Sequence, residues 1–507
     1  MHLETLWRWR VAIMASVVGV LAAMTRFVGL SSPKELVFDE LYYARGAFSL
    51  VHLGFEGDWT GENQAFAEGD YSGLRTDHAD YVVHPMLGKL LIAVGIKMFG
   101  ATPYGWRFSG AFLGTVTVVL IALIARHLFQ STIWGTLAGV FLAVEGQHVS
   151  LSRVALLDIF LTFFVVVAFG LLLIDRTRTH AKVMAQASRD RASLGLNPQD
   201  SVPGWGPRVG VRWWRFGAMV AFGLAAGVKW SALFIAAALL LWSVAWDRVD
   251  RRTAGYERWH VGSLVRAVPA GVLALVTIPT VYVATWLPWF LEPQSYRRNW
   301  AEKHPGEGVT WLPEALRSLV EYHAQMLTFH RGLDTYHTYK AAARNWLIQA
   351  RPTAMHFQDV DNVDCGADRC VSTMYALGHP FLWWAMVAAL IFVAWRVLRK
   401  RDMLAVTVSL GMLAGWVPWL AMPSRTMFTF YTVVMSPFVV LMVVWAARHI
   451  AQPERLEGGW SRKGVLVVGG YTALVLIAAG FFLPLWTGYP IPYEYWQIHP
   501  WLPGWSG

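Results

Sequence analysis

Eleven stretches of nearly continuous apolar residues constrain this chain more than any other feature. They lie near 11–30, 107–128, 131–148, 155–175, 215–230, 232–247, 266–288, 380–399, 403–421, 427–446 and 464–485. Crossing about 30 Å of hydrocarbon takes about 20 apolar residues in a helix. Lipid offers no partner to backbone N–H and C=O groups, so each run is expected to satisfy its own as a helix. The runs do not alternate apolar and polar residues, which argues against a β-barrel. Charged residues make up only 15% of the chain and hydrophobic ones 55%; a soluble domain carries about 25% charged. The expected fold class is an all-α polytopic membrane protein with about eleven transmembrane helices.

Lys and Arg in the short loops set its orientation. Arg8 and Arg10 precede the first run, and Arg176, Arg178, Lys182, Arg189, Arg191, Arg208 and Arg212 fill the 176–214 loop. Arg248, Arg251 and Arg252 follow the sixth run, Arg396, Arg399, Lys400 and Arg401 the eighth, and Arg448, Arg455, Arg462 and Lys463 the tenth. One topology places all of these on the cytoplasmic side, with the N-terminus inside and the C-terminus outside. The inner side then has 24 Lys and Arg against 10 Asp and Glu, net +14, and the rest 19 against 23, net −4, which gives the formal +10. The basic surplus is thus a topology signal and an attraction to anionic inner-leaflet lipid. With no soluble basic domain, nucleic acid is not an expected partner. The first run is long and no small-x-small site follows it, so an uncleaved helix is expected rather than a signal peptide.

Two outward loops, 31–106 and 289–379, are too long to be mere connectors. They divide the chain into a core at 1–288, the second loop at 289–379, and four helices with an aromatic tail at 380–507. Within the first loop, 85–99 is apolar but short and carries Lys89 and Lys97. Counting it as a crossing would invert every later loop, so it is expected to lie on or dip into the outer interface, with Pro85 in its first turn. Cys365 and Cys370, the two cysteines, lie close together in the outer loop, where a disulfide is expected. The tail after 485 is rich in aromatics and Pro and reads as an interfacial belt. Gly223-x-x-x-Gly227 has the spacing of close helix packing.

Ionisable residues gather on the outer side. Asp39 and Glu40 follow the first run by about nine residues; a carboxylate pair there suits a general base with an orienting partner, or else a solvated helix start. Arg107, Arg153, Lys229 and Arg425 stand at outer helix ends with His84 nearby. Single cations there snorkel, but four on one leaflet suggest an anion site, and lipid phosphate is the anion at that depth. Such cations would also stabilise a phosphate leaving group. There is no His-Glu-x-x-His, Gly-x-Ser-x-Gly or Walker loop. His323, His330, His337 and His356 lack the spacing of a metal site.

These residues stand in a pattern that resembles the protein O-mannosyltransferases, membrane glycosyltransferases of the GT-C fold. FDELYYARGAF is similar to the family's Asp-Glu motif, and HPMLGKLLIAVG from His84 to its His-Pro-Pro element, with Met86 for the second Pro. WRFSGAFLG, SRVALLDIF and GLAAGVKWS resemble three later elements, and MLTFHRGLDTYHTYKAAARNWLIQARPTAMHF the signature of the bacterial members. The second loop is too short to hold both that signature and the β-trefoil domain of eukaryotic members. The resemblance implies a polyprenyl-phosphate mannose donor, Ser or Thr of secreted proteins as acceptor, possible delivery at the translocon, and a multi-pass cell-membrane enzyme active on the extracytoplasmic face. It implies Asp39 as base, Glu40 beside it, inversion, and no cofactor or metal. Arg107, Lys229, Arg153 and Arg425 are the phosphate candidates. His84, Tyr42, His330, His337, Tyr339, Trp346 and Arg351 are the substrate-binding candidates. A GT-C transferase with a lipid or glycan acceptor is the alternative. A transporter would instead place its ionisable groups near the bilayer midplane.

Overall fold

The computed structural model describes residues 2–361, 363–456 and 458–506; the side chains of Arg8 and Arg455, two of the inner-side cations, lie outside the described residues. Each apolar run contains a helix. Among the described residues, eight helices are long and apolar enough to cross a membrane: Trp9–Phe27, Pro103–Phe129, Asp158–Leu194, Ala232–Thr253, Trp259–Ala284, Pro380–Lys400, Met403–Leu420 and Arg462–Thr487. Thr132–Ala143, Trp213–Ala226 and Ser436–Ala451 are shorter. At 1.5 Å per residue they reach only about 18–24 Å. Ser436–Ala451 is buried along most of its length, which is why its sequence is apolar all round.

The chain forms two compact units, residues 1–163 with 286–507, and residues 164–285. This division differs from the one expected at 288 and 379. The second outer loop folds into the same unit as the first and last helices, because strands from the loop and the tail share a sheet.

In the larger unit Pro103–Phe129 packs on the first helix, on Thr132–Ala143 and on Leu87–Phe99. Leu87–Phe99 is the short apolar segment of the first loop; its 13 residues reach about 20 Å and do not span. Met86 is its N-cap, so Pro85 lies one step outside the helix rather than in its first turn. Lys89, which interrupts the apolar run, is fully buried and pairs with buried Glu56. The loop also holds Glu40–Leu53 and an antiparallel pair, β1 (Gly57–Trp59) with β2 (Leu74–Ala79).

The second loop contributes the helix Glu314–Gly332 and a hairpin of β3 (Thr353–Asp359) and β4 (Cys370–Ala376). Cys365 and Cys370 are bonded at a Cα separation of 5.9 Å. Part of the aromatic tail is built into the fold. Its β5 (Ile491–Pro492) pairs with Cys370 and Val371, and Trp505 is buried with its indole N–H donating 2.7 Å to the Gln349 carbonyl. Tyr489, Ile498 and Trp501 stay exposed. The two small sheets modify the all-α expectation; strands of two to seven residues leave little periodicity to read.

In the smaller unit Gly223 and Gly227 face the helix Trp259–Ala284 and its end. A Cβ on Gly223 would lie 2.7 Å from Val281, and one on Gly227 2.7 Å from Thr285. The helix that begins at Asp158 runs to Leu194, through half of the expected 176–214 loop. Nothing between 176 and 194 breaks it, and Gly195 at φ +66° ends it. Its extension packs Val183 and Ala187 against Val202, Ala254 and Tyr256. Arg212 pairs with Asp175 and Asp247, and Arg215 with Asp247 at 3.2 Å, so part of the inner basic surplus is structural.

Lys89→Met alone strands a buried carboxylate and should destabilise by about 3–5 kcal/mol. Adding Glu56→Leu should restore most of the loss, as read from thermal unfolding in detergent. Alkylation of the unreduced protein should modify neither cysteine.

Candidate active site

The Asp39-Glu40 pair separates at the start of the helix Glu40–Leu53. Asp39 takes the N-cap position and is half-buried; Glu40 is fully buried. The Glu40 carboxylate accepts four hydrogen bonds of 2.8 Å. Arg107 Nε and the Ala155 amide donate to Oε1, and Arg107 Nη2 and the Val37 amide to Oε2. Two carboxylate oxygens have about four lone-pair sites, so none is left for a substrate. Glu40 shapes the loop and does not touch the reacting groups.

Arg107 is used up in the same way. Besides its fork onto Glu40 it donates to the carbonyls of Leu30 at 3.3 Å, Pro33 at 2.6 Å and Glu35 at 3.0 Å. All five guanidinium N–H groups have acceptors, which removes Arg107 from the phosphate candidates. Arg153 spends both its terminal nitrogens on the fold as well, although its buried Nε, like that of Arg425, has no hydrogen-bond partner among the described residues. It donates to the carbonyls of Thr25, Arg26, Val28 and Gly29 at 2.8–3.3 Å and to Thr487 at 3.3 Å. A cation suits a helix C-terminus; here it holds the end of the first helix. In sequence, a cation facing backbone carbonyls and one facing a ligand look the same.

Asp39 is preceded by Phe38 at φ +50°, a conformation that bulky residues seldom adopt. The Phe38 ring is gripped edge-on by His337, Phe428 and Phe430, at centroid distances of 6.1, 5.8 and 5.7 Å. The second-loop segment carrying His337 is strapped to 424–428. Thr426 N–H donates to Leu333 O, Ala341 N–H to Met427 O, and Lys340 Nζ to Ser424 O, at 2.8–2.9 Å. On the other side lies buried Tyr43, whose hydroxyl pKa is raised by burial first and then by the negative charges of Asp39 and Asp158. Asp158, not chosen from the sequence as a site residue, thus shares a tyrosine with Asp39.

From Tyr43 a wall of side chains leads to Arg425. The Tyr43 and His84 rings are 6.4 Å apart, and those of His84 and His330 5.2 Å. His330 Nε2 donates 2.8 Å to Val83 O, which leaves Nδ1 to accept from Arg425 Nη2 at 3.3 Å. Arg425 Nη1 donates to the His330 carbonyl, while its buried Nε has no hydrogen-bond partner among the described residues. Tyr42 is exposed on the same helix start as Asp39. His337 Nδ1 accepts from the Tyr339 amide at 3.1 Å, and Arg351 donates to Thr338 O at 2.6 Å. Trp346 is not a substrate contact: it is fully buried, with its indole N–H on Ala341 O. Lys229 is buried at the turn between Trp213–Ala226 and Ala232–Thr253, in the smaller unit.

A helical membrane core with an acidic first loop has the architecture of the GT-C class of glycosyltransferases. Its fold matches a Saccharomyces cerevisiae protein O-mannosyltransferase, the Pmt1-Pmt2 complex bound to the sugar donor, at a TM-score of 0.70 and 15% identity, covering 98% of this chain and 92% of that one. A family model described as the C-terminal four TMM region of protein-O-mannosyltransferase matches 315–505, and one described as dolichyl-phosphate-mannose-protein mannosyltransferase matches 97–183. The polyprenol-phosphate-mannose–protein mannosyltransferase of Mycobacterium tuberculosis is 36% identical over 98% of this chain and 92% of its own length. That of Corynebacterium glutamicum is 32% identical over 97% and 92%. This chain belongs to the protein O-mannosyltransferase family.

Glu40→Ala and Arg107→Ala should each lower stability by about 3–5 kcal/mol, and the double variant by less than their sum. Thermal unfolding measures both. Arg425→Ala removes two hydrogen bonds to His330 and should lower the unfolding temperature by only a few degrees while raising the donor KM.

Proposed function

We propose that the chain transfers mannose from a polyprenyl-phosphate mannose to Ser or Thr hydroxyls of secreted proteins, on the outer face of the membrane. The observation that carries the reading is the division of the acidic pair. One carboxylate is buried and saturated. The other is half-exposed at a strained turn, between the first-loop wall and the second-loop segment that resembles the bacterial signature. The names of the relatives supply the donor and acceptor classes.

In this mechanism Asp39 takes the proton of the acceptor hydroxyl as its oxygen bonds to the anomeric carbon. The bond from that carbon to the phosphate oxygen breaks, and polyprenyl phosphate leaves with the electron pair. A single displacement inverts the centre, so a β-linked donor gives an α-mannoside. Arg425 is the phosphate-facing cation of the larger unit; His330 fixes it on one side and leaves Nε unspent. Neither a covalent carboxylate intermediate nor a cofactor enters, because a cation-bound phosphate leaves without protonation.

The test is transfer from labelled polyprenyl-phosphate mannose to a Ser/Thr-rich peptide in membranes containing the protein. Asp39→Asn should keep the protein in the membrane and lower transfer by about 10²–10⁴-fold, since an amide cannot take the proton. Near wild-type rates would remove Asp39 as base, a β-linked product would remove inversion, and label appearing only in lipid would replace the protein acceptor.

A further inference from the structure

The catalytic peptide is held from a second direction that the mechanism leaves unused. Glu35 lies four residues before Asp39. Its carbonyl is one of the Arg107 acceptors. Its side chain turns the other way, to the second outer loop, where Oε1 lies 2.9 Å from His356 Nδ1. With its amide oriented nitrogen-first, Gln358 donates to the same oxygen at 2.9 Å. His356 and Gln358 are two residues apart on β3, so they share a face of the strand.

The His356 side chain is only 6% exposed, against 27% for Glu35. Burial first, and Arg107 next, push its pKa down to about 4, so the ring is neutral near neutral pH. A neutral imidazole has one N–H. The Glu35 carboxylate accepts only from a ring with that hydrogen on Nδ1, which leaves Nε2 bare, and Nε2 is buried with no hydrogen-bond partner among the described residues. Burial raises the Glu35 carboxyl while Arg107 lowers it, the first effect being larger. The strand behind this contact is firm: β3 pairs with β4 through six residue pairs, β4 pairs with β5, and Ser372 donates 2.9 Å to the Gly488 carbonyl.

We propose that Glu35, tied to His356 and Gln358, is a positioning residue of the transfer reaction, setting the Asp39 peptide against the sheet of the second outer loop. Only residues 36–38 separate the tie from the aspartate, and they end on Phe38 with its positive φ. Without the tie this short segment is held on its first-loop side by Arg107 on the Glu35 carbonyl and by Glu40 on the Val37 amide, and its second-loop side keeps only the rings around Phe38. Asp39 then loses part of its alignment with a bound acceptor while the donor site is untouched. The inference rests on Asp39 being the base.

The test measures kcat and the donor KM, with thermal unfolding as a control. Misplacement of a reacting group by about 1 Å costs on the order of 10²-fold. Glu35→Ala and His356→Ala should therefore each lower kcat by about 10- to 100-fold, with the donor KM within about twofold. His356→Asn puts an amide nitrogen where Nδ1 stands and should recover most of the loss. The double variant should be no slower than the slower single, because both remove one contact. Wild-type kcat in either alanine variant would overturn the proposal, as would equal losses in His356→Ala and His356→Asn. Asp39→Asn keeps the two readings apart. Retained activity there removes the base; activity lost there with Glu35→Ala at the wild-type rate removes only the tie.

Discussion

The ion pair between Glu40 and Arg107 organises the first-loop part of the larger unit. A charge pair withdrawn from water gains little from its own attraction; it persists when further hydrogen bonds satisfy both groups. Here those bonds go to two stretches of backbone, residues 30–37 and Ala155. Arg107, from the start of a membrane-length helix, gathers the carbonyls of Leu30, Pro33 and Glu35. Glu40 fastens the Val37 and Ala155 amides. One pair therefore fixes the exit of the first helix, the first turn of the next, and the turn that leads to Asp158. Arg153 does related work one step away, closing the last carbonyls of the first helix.

This arrangement gives two adjacent acids different fates. Consecutive side chains on a helix point about 100° apart, so one can face the protein while the other faces a cleft. With Glu40 neutralised by Arg107, Asp39 has no like charge pressed against it from its own neighbour. The second loop reaches the same place independently, through the rings around Phe38 and through Arg425 on His330. The Phe38-Asp39 turn thus lies between two parts of the chain that are about 300 residues apart in sequence.

Sequence showed the helices, the acidic pair and the two long loops, because each leaves a local trace: an apolar run, a charged doublet, a gap between runs. The family motifs of the first and second loops fall in segments that the fold brings together around Phe38. Contacts made at long range left no such trace. Arg107 and Arg425 are each a cation near an outer helix end, yet one is spent on a carboxylate and three carbonyls and the other keeps an unspent nitrogen. Trp346 sits inside a matching motif but serves the core. Asp158 stands in the SRVALLDIF element, but the bearing of its charge on Tyr43 together with that of Asp39 depends on a fold that brings that turn to the first loop. The strands were missed because they are short, and the burial of Trp505 because aromatic rings suit water's edge and protein interior alike.

The third strand of the small sheet has a consequence for how the protein is made. Residues 491–492 lie beyond the last long helix, about 115 residues after the β4 strand they complete. At roughly 5–20 residues per second of synthesis, that interval is on the order of ten seconds. Throughout it the aspartate turn, the signature segment and the hairpin have all emerged, yet the hairpin still has one open edge. The nascent chain therefore passes through a stage that holds the aspartate turn and the hairpin without their finished frame, and insertion of the last long helix becomes a step in maturation of the fold as well as in its anchoring.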